Sequence, residues 1–171
     1  DGGAELRADI PRVLQRVRTL RDRFVAGVLK TTDDLGERNI AGQARLEGPG
    51  VLRVGDAMIE ASRIILAPGS SPVVPKDWQA LGDLILTSDT LFEQGDLPRR
   101  IGIVGLGAIG AEIAQALARL GIEVHAFTSG RTICGIADDK IVGVVKDLLG
   151  EEFAVHLEAR VSLSRAEDGV R

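Results

Sequence analysis

The chain has 171 residues, of which 44% are hydrophobic and 27% are charged, an ordinary composition for a globular domain. A formal net charge of −4 gives no electrostatic basis for binding nucleic acid or an anionic membrane. No apolar run approaches the roughly 20 residues of a membrane-spanning helix. The sequence also shows no signal-peptide pattern, so we expect a cytoplasmic protein.

The first part of the chain predicts one long amphipathic helix after a polar, frayed end at residues 1–8. Asp9 is a suitable N-cap, and Pro11 is compatible with the first helical turn. Apolar residues then recur at steps of three and four, with arginines between them. The pattern predicts about six turns whose arginine-rich face is exposed to solvent. A phosphate-binding surface is the alternative interpretation of the arginines.

From Asn39 onward the period changes to two, which is typical of β-strands. Turn signals at residues 48–50 and 55–56 divide this segment into a short antiparallel meander. A continuous apolar run at residues 63–67 predicts a further strand, which ends in the Pro/Gly/Ser-rich segment 68–72.

The connection that follows is predicted to contain two short elements. Leu84-Ile85-Leu86 has the composition of a short strand. Ser88 or Asp89 is the expected N-cap of a short helix that runs through Phe92. We place a domain boundary after Leu97, so that residues 1–97 and 98–171 form separate domains.

The stretch Arg100 to Phe127 contains the pattern on which the functional interpretation depends. Ile101–Val104 has the length of one buried parallel strand. The six residues after it have the spacing G-x-G-x-x-G, and a helical apolar period then extends to Gly121. A second strand is predicted to end at Phe127. Strand, glycine turn, helix and strand within about thirty residues form the context that a dinucleotide-binding fingerprint requires.

Each glycine of this fingerprint has a separate physical reason. Gly105 permits the tight turn, Gly107 lets a pyrophosphate approach the backbone, and Gly110 lets the helix pack closely on the strand. The helix N-terminus then offers N–H groups and a partial positive charge to the phosphates. The alternative is a glycine-rich turn in an ordinary βαβ unit.

The remainder predicts a loop at residues 128–135, a helix capped by Asp138 or Asp139, and a strand at residues 153–164. Glu167-Asp168-Gly169 predicts a hairpin turn. The return strand would begin where the chain ends, so we expect a piece of a longer protein. The predicted fold class is α/β: a Rossmann-like βαβ nucleotide-binding domain preceded by a long helix and an antiparallel β-meander.

Three residues with reactive side chains receive a structural interpretation. Cys134 follows an apolar residue and has no histidine close in sequence, which favours a small inert hydrophobic residue over a reactive thiol. His125 and His156 lie in strand patterns without metal-ligand spacing, so we predict no metal site.

The order of these motifs resembles the pyridine nucleotide–disulfide oxidoreductase family, and within it dihydrolipoamide dehydrogenase most of all. The run I-I-L-A-P-G-S-S-P at residues 64–72 is similar to the family's second flavin motif, A-T-G-S-x-P. The run V-G-L-G-A-I-G-A-E-I-A at residues 104–114 is similar to the fingerprint of the nicotinamide domain. Residues 87–92 resemble the hinge between them. The resemblance implies the C-terminal part of an FAD-binding domain (1–97) and an NAD(P)-binding domain truncated at its C-terminal hairpin (98–171).

The resemblance also implies a function: hydride transfer between a flavin and a nicotinamide, with FAD and NAD as cofactors and NADP possible. The full-length protein is expected to be a homodimer, and the isolated chain inactive. The FAD contacts implied are Ala44, Ala67, Gly69 and Ser70. The dinucleotide contacts implied are Gly105, Gly107, Ala108, Ile109, Gly110, Glu112 near the nicotinamide, and Val161 by its backbone. No catalytic residue is assigned. The alternative is a stand-alone nucleotide-binding or sensing module without catalysis.

The chain departs from the family pattern in several places. It contains neither the first flavin fingerprint nor the C-x-x-x-x-C pair nor the catalytic His-Glu pair, and Pro68 replaces the threonine of the flavin motif. Thr128 stands where an acid normally binds the ribose 2′-hydroxyl. Ser129 could line an anion site there, and Arg131 could accept a 2′-phosphate; an exposed loop arginine is the alternative. We therefore expect weak discrimination between NAD(H) and NADP(H).

Overall fold

The computed structural model describes residues 8–167 and 169–171. Contacts divide the chain into two compact units. Unit 1 consists of the chain up to Val17 together with Pro72–Arg171, and unit 2 consists of Arg18–Ser71. The domain boundary expected after Leu97 stays a prediction. The frayed N-terminus was predicted for residues that lie almost entirely outside the described part.

The long helix is confirmed as α1, Ile10–Asp33. A carboxylate oxygen of Asp9 accepts a hydrogen bond from the Arg12 N–H at 3.1 Å, so Asp9 is the N-cap. Leu14 is 4% exposed and Ile10 packs against the core of unit 1. No helix among residues 8–167 and 169–171 is long and apolar enough to cross a membrane.

Unit 2 contains the predicted meander, which is confirmed. Strands β1 (Ala44–Gly48), β2 (Val51–Val54) and β3 (Ala57–Glu60) pair antiparallel in the order β1-β2-β3. Gly50 has a φ of +72°, and its carbonyl accepts a hydrogen bond from the Ala61 N–H at 2.8 Å. The first strand begins later than the alternating pattern, which started near residue 40.

The strand predicted at residues 63–67 is wrong. Residues 63–75 contain no helix or strand, and the side chains of Ile65 and Leu66 are 92% and 69% exposed. A strand forms only where a neighbour accepts its ladder hydrogen bonds. No described strand pairs with this segment, so its apolar composition alone does not produce an extended ladder.

The connection to the parallel sheet also differs from its prediction. A short helix α2 spans Lys76–Gln79, and residues 84–86 form no strand because Leu84 ends a 3₁₀ turn that begins at Gly82. A second 3₁₀ turn spans Leu91–Glu93. Its N-cap is Thr90, so the caps predicted at residues 88 and 89 are wrong.

Unit 1 is built around a parallel sheet of β4 (Arg100–Val104), β5 (Glu123–Phe127) and β6 (Ala154–His156), in the order β4-β5-β6. Helix α3 (Ala108–Arg119) joins the first two strands, and α4 (Asp139–Gly150) joins the last two. The predicted Rossmann-like βαβ arrangement is therefore confirmed, and the second strand ends at the expected residue.

The core of unit 1 forms where α3 packs on the sheet. Ala114 of the helix and Ala126 of β5 are fully buried, which allows the two elements to approach closely. Helix α4 begins after Asp138, whose carboxylate accepts hydrogen bonds from the Lys140 and Ile141 N–H groups. The buried members of the core are Leu106, Ala111, Ala114, Leu117, Ile122, Val124, Ala126 and Phe153.

A charged cluster joins α3 to the residues after α4. The Arg119 guanidinium donates to both carboxylate oxygens of Glu152, at 2.6 and 2.8 Å, and the Gln115 amide donates to the same carboxylate at 2.7 Å. The hydrogen bond from Arg119 is the main reason that the pKa of Glu152 lies below its ordinary value. The cluster connects residues that are more than thirty positions apart.

Two histidines lie side by side on the sheet. Nδ1 of His125 is 3.4 Å from Nε2 of His156, and the ring centroids are 5.6 Å apart. Because the nitrogens are so much closer than the centroids, the rings meet edge to edge. His156 also stacks on Phe127, its neighbour in register, with centroids 4.6 Å apart. Neither histidine belongs to a group of three possible metal ligands within the described part of the chain.

The strand predicted at residues 153–164 is wrong beyond His156. Glu158 has a φ of +53°, and the N–H groups of Glu158 and Ala159 donate to the carbonyls of Gly130 and Thr128. The backbone therefore leaves the sheet direction to bind the neighbouring loop. The predicted C-terminal hairpin is confirmed as β7 (Arg165–Ala166) with β8 (Gly169–Val170). Its turn residue at position 168 lies outside the described residues.

Candidate functional site

The glycine turn follows β4 at the carboxyl edge of the parallel sheet. Gly105 has a φ of +107°, a conformation that side chains disfavour, and its N–H donates to the carbonyl of Phe127 at 2.7 Å. The turn is thereby attached to the end of β5. Strand ends at such an edge form the crevice where open α/β sheets bind ligands.

Gly110 is required by the packing of the chain itself. A Cβ atom at this position would lie 1.9 Å from the carbonyl oxygen of Gly105, a distance that no side chain tolerates. The first turn of α3 therefore rests directly on the backbone of the turn. The close helix–strand approach that the fingerprint implies is present.

Gly107 differs, because the packing of the chain does not require it. A Cβ atom there would have no neighbour within 4 Å, and its φ of −67° is accessible to any residue. Gly107 is also the N-cap of α3 and supplies no side-chain oxygen to the first helical N–H groups. Open space in front of an uncapped helix N-terminus fits an anionic group such as a pyrophosphate.

The neighbouring site residues are arranged around this opening. Ala108 and Ile109 form the first turn of α3, and the Ile109 side chain is 64% exposed. Glu112 is exposed on the same helix. Leu106, in contrast, is 2% exposed and anchors the turn in the core.

The loop after β5 is tied to the glycine turn. The Cys134 N–H donates to the carbonyl of Leu106 at 2.8 Å, and Ile133 beside it is fully buried. Cys134 itself is exposed, and the inertness of its thiol stays a prediction. Its apolar neighbour, rather than the thiol, fills the core.

The same loop is tied to the segment after β6 through Thr128. The Thr128 N–H donates to the carbonyl of His156 at 3.0 Å, and the Thr128 carbonyl accepts from the Ala159 N–H at 2.9 Å. The Thr128 hydroxyl accepts from the Gly130 N–H at 3.4 Å. Ser129 is exposed beside it. The ends of β5 and β6 therefore form one continuous hydrogen-bonded edge.

An acidic side chain that the sequence analysis missed also lies at this edge. The Arg131 guanidinium Nε is 3.7 Å from a carboxylate oxygen of Glu158, and both side chains are about two-thirds exposed. The fingerprint pattern does not indicate Glu158, because it places the acid at the end of the second strand, here β5. The signal that could have revealed it is an acid just after the next parallel strand. Val161 follows, half-buried, in a segment without regular structure.

The residues expected to contact FAD are not brought together in the same way. Ala44 is exposed on β1, and Ala67, Gly69 and Ser70 are exposed in a segment without regular structure. Within the described residues, no hydrogen bond links that segment to β1. The four residues therefore lie in two separate segments of the described chain, and their contact with FAD stays a prediction.

Residues 6–170 match the family model described as "Pyridine nucleotide-disulphide oxidoreductase". The chain belongs to this family. Members of the family typically bind FAD and NAD(P). The match includes the glycine turn and also residues 63–75, which contain the flavin motif and are called the flavin-side segment below. The family resemblance seen in the sequence is therefore confirmed.

Relatives in this family match along most of the chain. Dihydrolipoyl dehydrogenase from Pseudomonas aeruginosa is 31% identical over 173 residues, which cover 95% of this chain and 36% of that protein. Soluble pyridine nucleotide transhydrogenase from Marinomonas sp. is 27% identical over 170 residues, covering 94% of this chain and 36% of that protein. The chain thus spans little more than a third of either relative.

Solved structures of family members share the fold. A mutant of the HOCl-induced flavoprotein disulfide reductase RclA from Escherichia coli, in a Cu(II) complex, superposes with a TM-score of 0.78 at 26% identity. The match covers 95% of this chain and 38% of that one. LpdA from Mycobacterium tuberculosis superposes with a TM-score of 0.72 at 26% identity, covering 99% of this chain and 39% of that one.

Proposed function

We propose that residues 98–171 bind the dinucleotide NAD(P) and that the chain is the central cofactor-binding portion of a flavin-dependent oxidoreductase. The observation that supports this most is the contrast among the three glycines of the turn. Gly105 and Gly110 are explained by backbone conformation and packing, whereas Gly107 faces open space at an uncapped helix N-terminus. A bound pyrophosphate explains why position 107 has a glycine, since any side chain there would occupy the space that the pyrophosphate needs.

In this proposal each group at the carboxyl edge of the sheet has one role. The backbone around Gly105, Gly107, Ala108, Ile109 and Gly110 holds the pyrophosphate, with the α3 N-terminus stabilising its charge. The adenosine ribose lies beside Thr128, Ser129 and Arg131. The adenine contacts the backbone of Val161. Glu112 lies toward the nicotinamide. The nicotinamide supplies hydride chemistry when it is bound, while the chain binds and orients it.

The flavin side of the proposal concerns the complete protein. There Ala44, Ala67, Gly69 and Ser70 contact FAD, and hydride passes between flavin and nicotinamide in a reaction similar to that of dihydrolipoamide dehydrogenase. The complete protein is a cytoplasmic homodimer with a domain boundary after Leu97, and the isolated chain lacks dithiol-linked activity. The 31% identity to a dihydrolipoyl dehydrogenase along nearly the whole chain supports this choice within the family.

A stand-alone nucleotide-binding module is the second candidate. It is favoured by the buried core that the βαβ unit has of its own, while the flavin-side segment is exposed. The mass of the native gene product distinguishes the two candidates. A mass near 18.1 kDa supports the module, and a mass more than twice as large supports the enzyme.

The binding proposal is tested by Gly107→Val. The valine Cβ would enter the space in front of the helix, where it has no neighbouring atom within 4 Å. Calorimetric titration with NADH should show at least a tenfold loss of affinity, about 1.4 kcal/mol. Far-UV circular dichroism should remain that of the wild type.

Gly143→Val is the matched control, since Gly143 of α4 also has nothing within 4 Å of its Cβ position. It lies inside α4 and not in the glycine turn at the start of α3, so the NADH affinity should not change. An unaltered dissociation constant in Gly107→Val would show that the dinucleotide does not bind at this turn.

A further inference from the structure

The ion pair between Arg131 and Glu158 places a carboxylate where the sequence pattern lacked one. Thr128 ends β5 without the acid that usually binds a ribose 2′-hydroxyl. Glu158 follows β6, the strand beside β5, at the same edge of the sheet. Its carboxylate lies 3.7 Å from the one cation that was expected to accept a 2′-phosphate.

The backbone of Glu158 is held firmly although its side chain is exposed. A φ of +53° in a non-glycine residue persists only where the surroundings fix it. Here the Glu158 N–H donates to the Gly130 carbonyl at 3.1 Å, and the next N–H donates to the Thr128 carbonyl at 2.9 Å. Both acceptors belong to the loop that carries Arg131. The backbone position of Glu158 is therefore set by the loop that carries Arg131.

We infer that Glu158 determines cofactor choice and favours NAD(H) over NADP(H); this inference rests on the proposed dinucleotide site. The carboxylate accepts a hydrogen bond from the ribose 2′-hydroxyl in place of the missing acid at the end of β5. It repels a 2′-phosphate, and it also neutralises the charge of Arg131 that would otherwise attract one. The expectation of weak discrimination, drawn from Thr128 and Arg131 alone, is replaced by a preference for NAD(H).

The test compares NADH and NADPH titrations of the 171-residue chain at one fixed ionic strength, because salt screens the phosphate interaction. Wild type should bind NADH more tightly. Glu158→Gln should weaken NADH and strengthen NADPH, so that the ratio of the two dissociation constants shifts by tenfold or more. In Arg131→Ala the uncompensated carboxylate remains, so NADPH affinity should fall by more than NADH affinity does. In the double variant, the NADPH affinity gained by Glu158→Gln should be lost.

Glu151→Gln is the control, since it removes the same charge from an exposed residue at the C-terminal end of α4. It should leave the ratio unchanged. An unchanged ratio in Glu158→Gln, or an equal change for both nucleotides, would overturn the inference. In that case Gly107→Val would still weaken both nucleotides if the site itself is correct. Absence of binding by wild type, or no effect of Gly107→Val, would overturn the site and this inference together.

Discussion

Two stretches of the chain resemble cofactor-binding motifs of the family, but only one of them forms helices and strands. Residues 100–127 form a strand, a turn, a helix and a second strand, which pack around a core in which Ala114 and Ala126 are fully buried. Residues 63–75, which contain the flavin-side motif, have no regular structure, and Ile65 is 92% exposed. The first stretch contains its packing partners in consecutive order. The difference teaches that a motif folds locally only when the elements that support it are also local.

The largest expected effect that sharpens this comparison comes from Gly110→Ala. Glycine to alanine in a helix normally stabilises a protein by roughly 0.5–1 kcal/mol. Here the new Cβ would lie 1.9 Å from a backbone oxygen, so we expect destabilisation by more than about 3 kcal/mol. Urea unfolding followed by fluorescence of Trp78, the sole tryptophan and a residue of unit 1, measures the change.

Gly143→Ala in α4 is the control for that experiment, since its Cβ would meet nothing within 4 Å. It should stabilise the chain by the ordinary helical amount. A Gly110→Ala variant as stable as Gly143→Ala would show that α3 does not rest on the turn.

The second-largest expected effect is the difference in unfolding free energy between a variant of a core residue and a variant of the flavin-side segment. Leu117→Ala removes a side chain that is 6% exposed, and we expect a cost of about 2–3 kcal/mol. Ile65→Ala removes one that is 92% exposed, so its cost should stay within about 0.5 kcal/mol. Urea unfolding by far-UV circular dichroism compares the two variants. Equal costs would mean that residues 63–75 are packed as firmly as the βαβ unit.

The smallest effect concerns the cluster at the other end of α3. The Arg119 hydrogen bond keeps the pKa of Glu152 low, so this group contributes stability above the ordinary pKa of glutamate. The contribution is lost as the pH falls through the lower pKa of the folded chain. Unfolding of wild type and Glu152→Gln should therefore differ at neutral pH and converge in acid. A constant difference across that range would exclude a role for the ionised carboxylate.

The sequence predicted elements whose partners are adjacent in the chain. The periodicity of α1, the meander turns, the cap at Asp138 and the βαβ order all depend on local patterns, and all are confirmed. The strand expected at residues 63–67 needed a pairing partner that no described strand provides. The strand after His156 was overestimated because backbone hydrogen bonds to Gly130 and Thr128 redirect the chain.

The residues of the candidate site also fall into those that a contiguous motif reveals and those that only the fold brings together. The glycine turn and the end of β5 could be located from spacing alone, since the motif is contiguous. Glu158 could not be found in this way, because it meets Arg131 only through the pairing of β5 with β6. The exposure of Cys134 was also missed, since neighbouring apolar residues do not reveal which side chain of a loop enters the core.

The two non-glycine residues with positive φ in the described part of the chain are Cys134 and Glu158. Each donates its backbone N–H to a carbonyl of another loop at the carboxyl edge of the sheet, that of Leu106 or of Gly130. The conformational entropy of these loops is therefore lost during folding, when the chain forms its own hydrogen bonds. A ligand that docks on this edge meets a preorganised surface, and little of its binding free energy is consumed in ordering the loops.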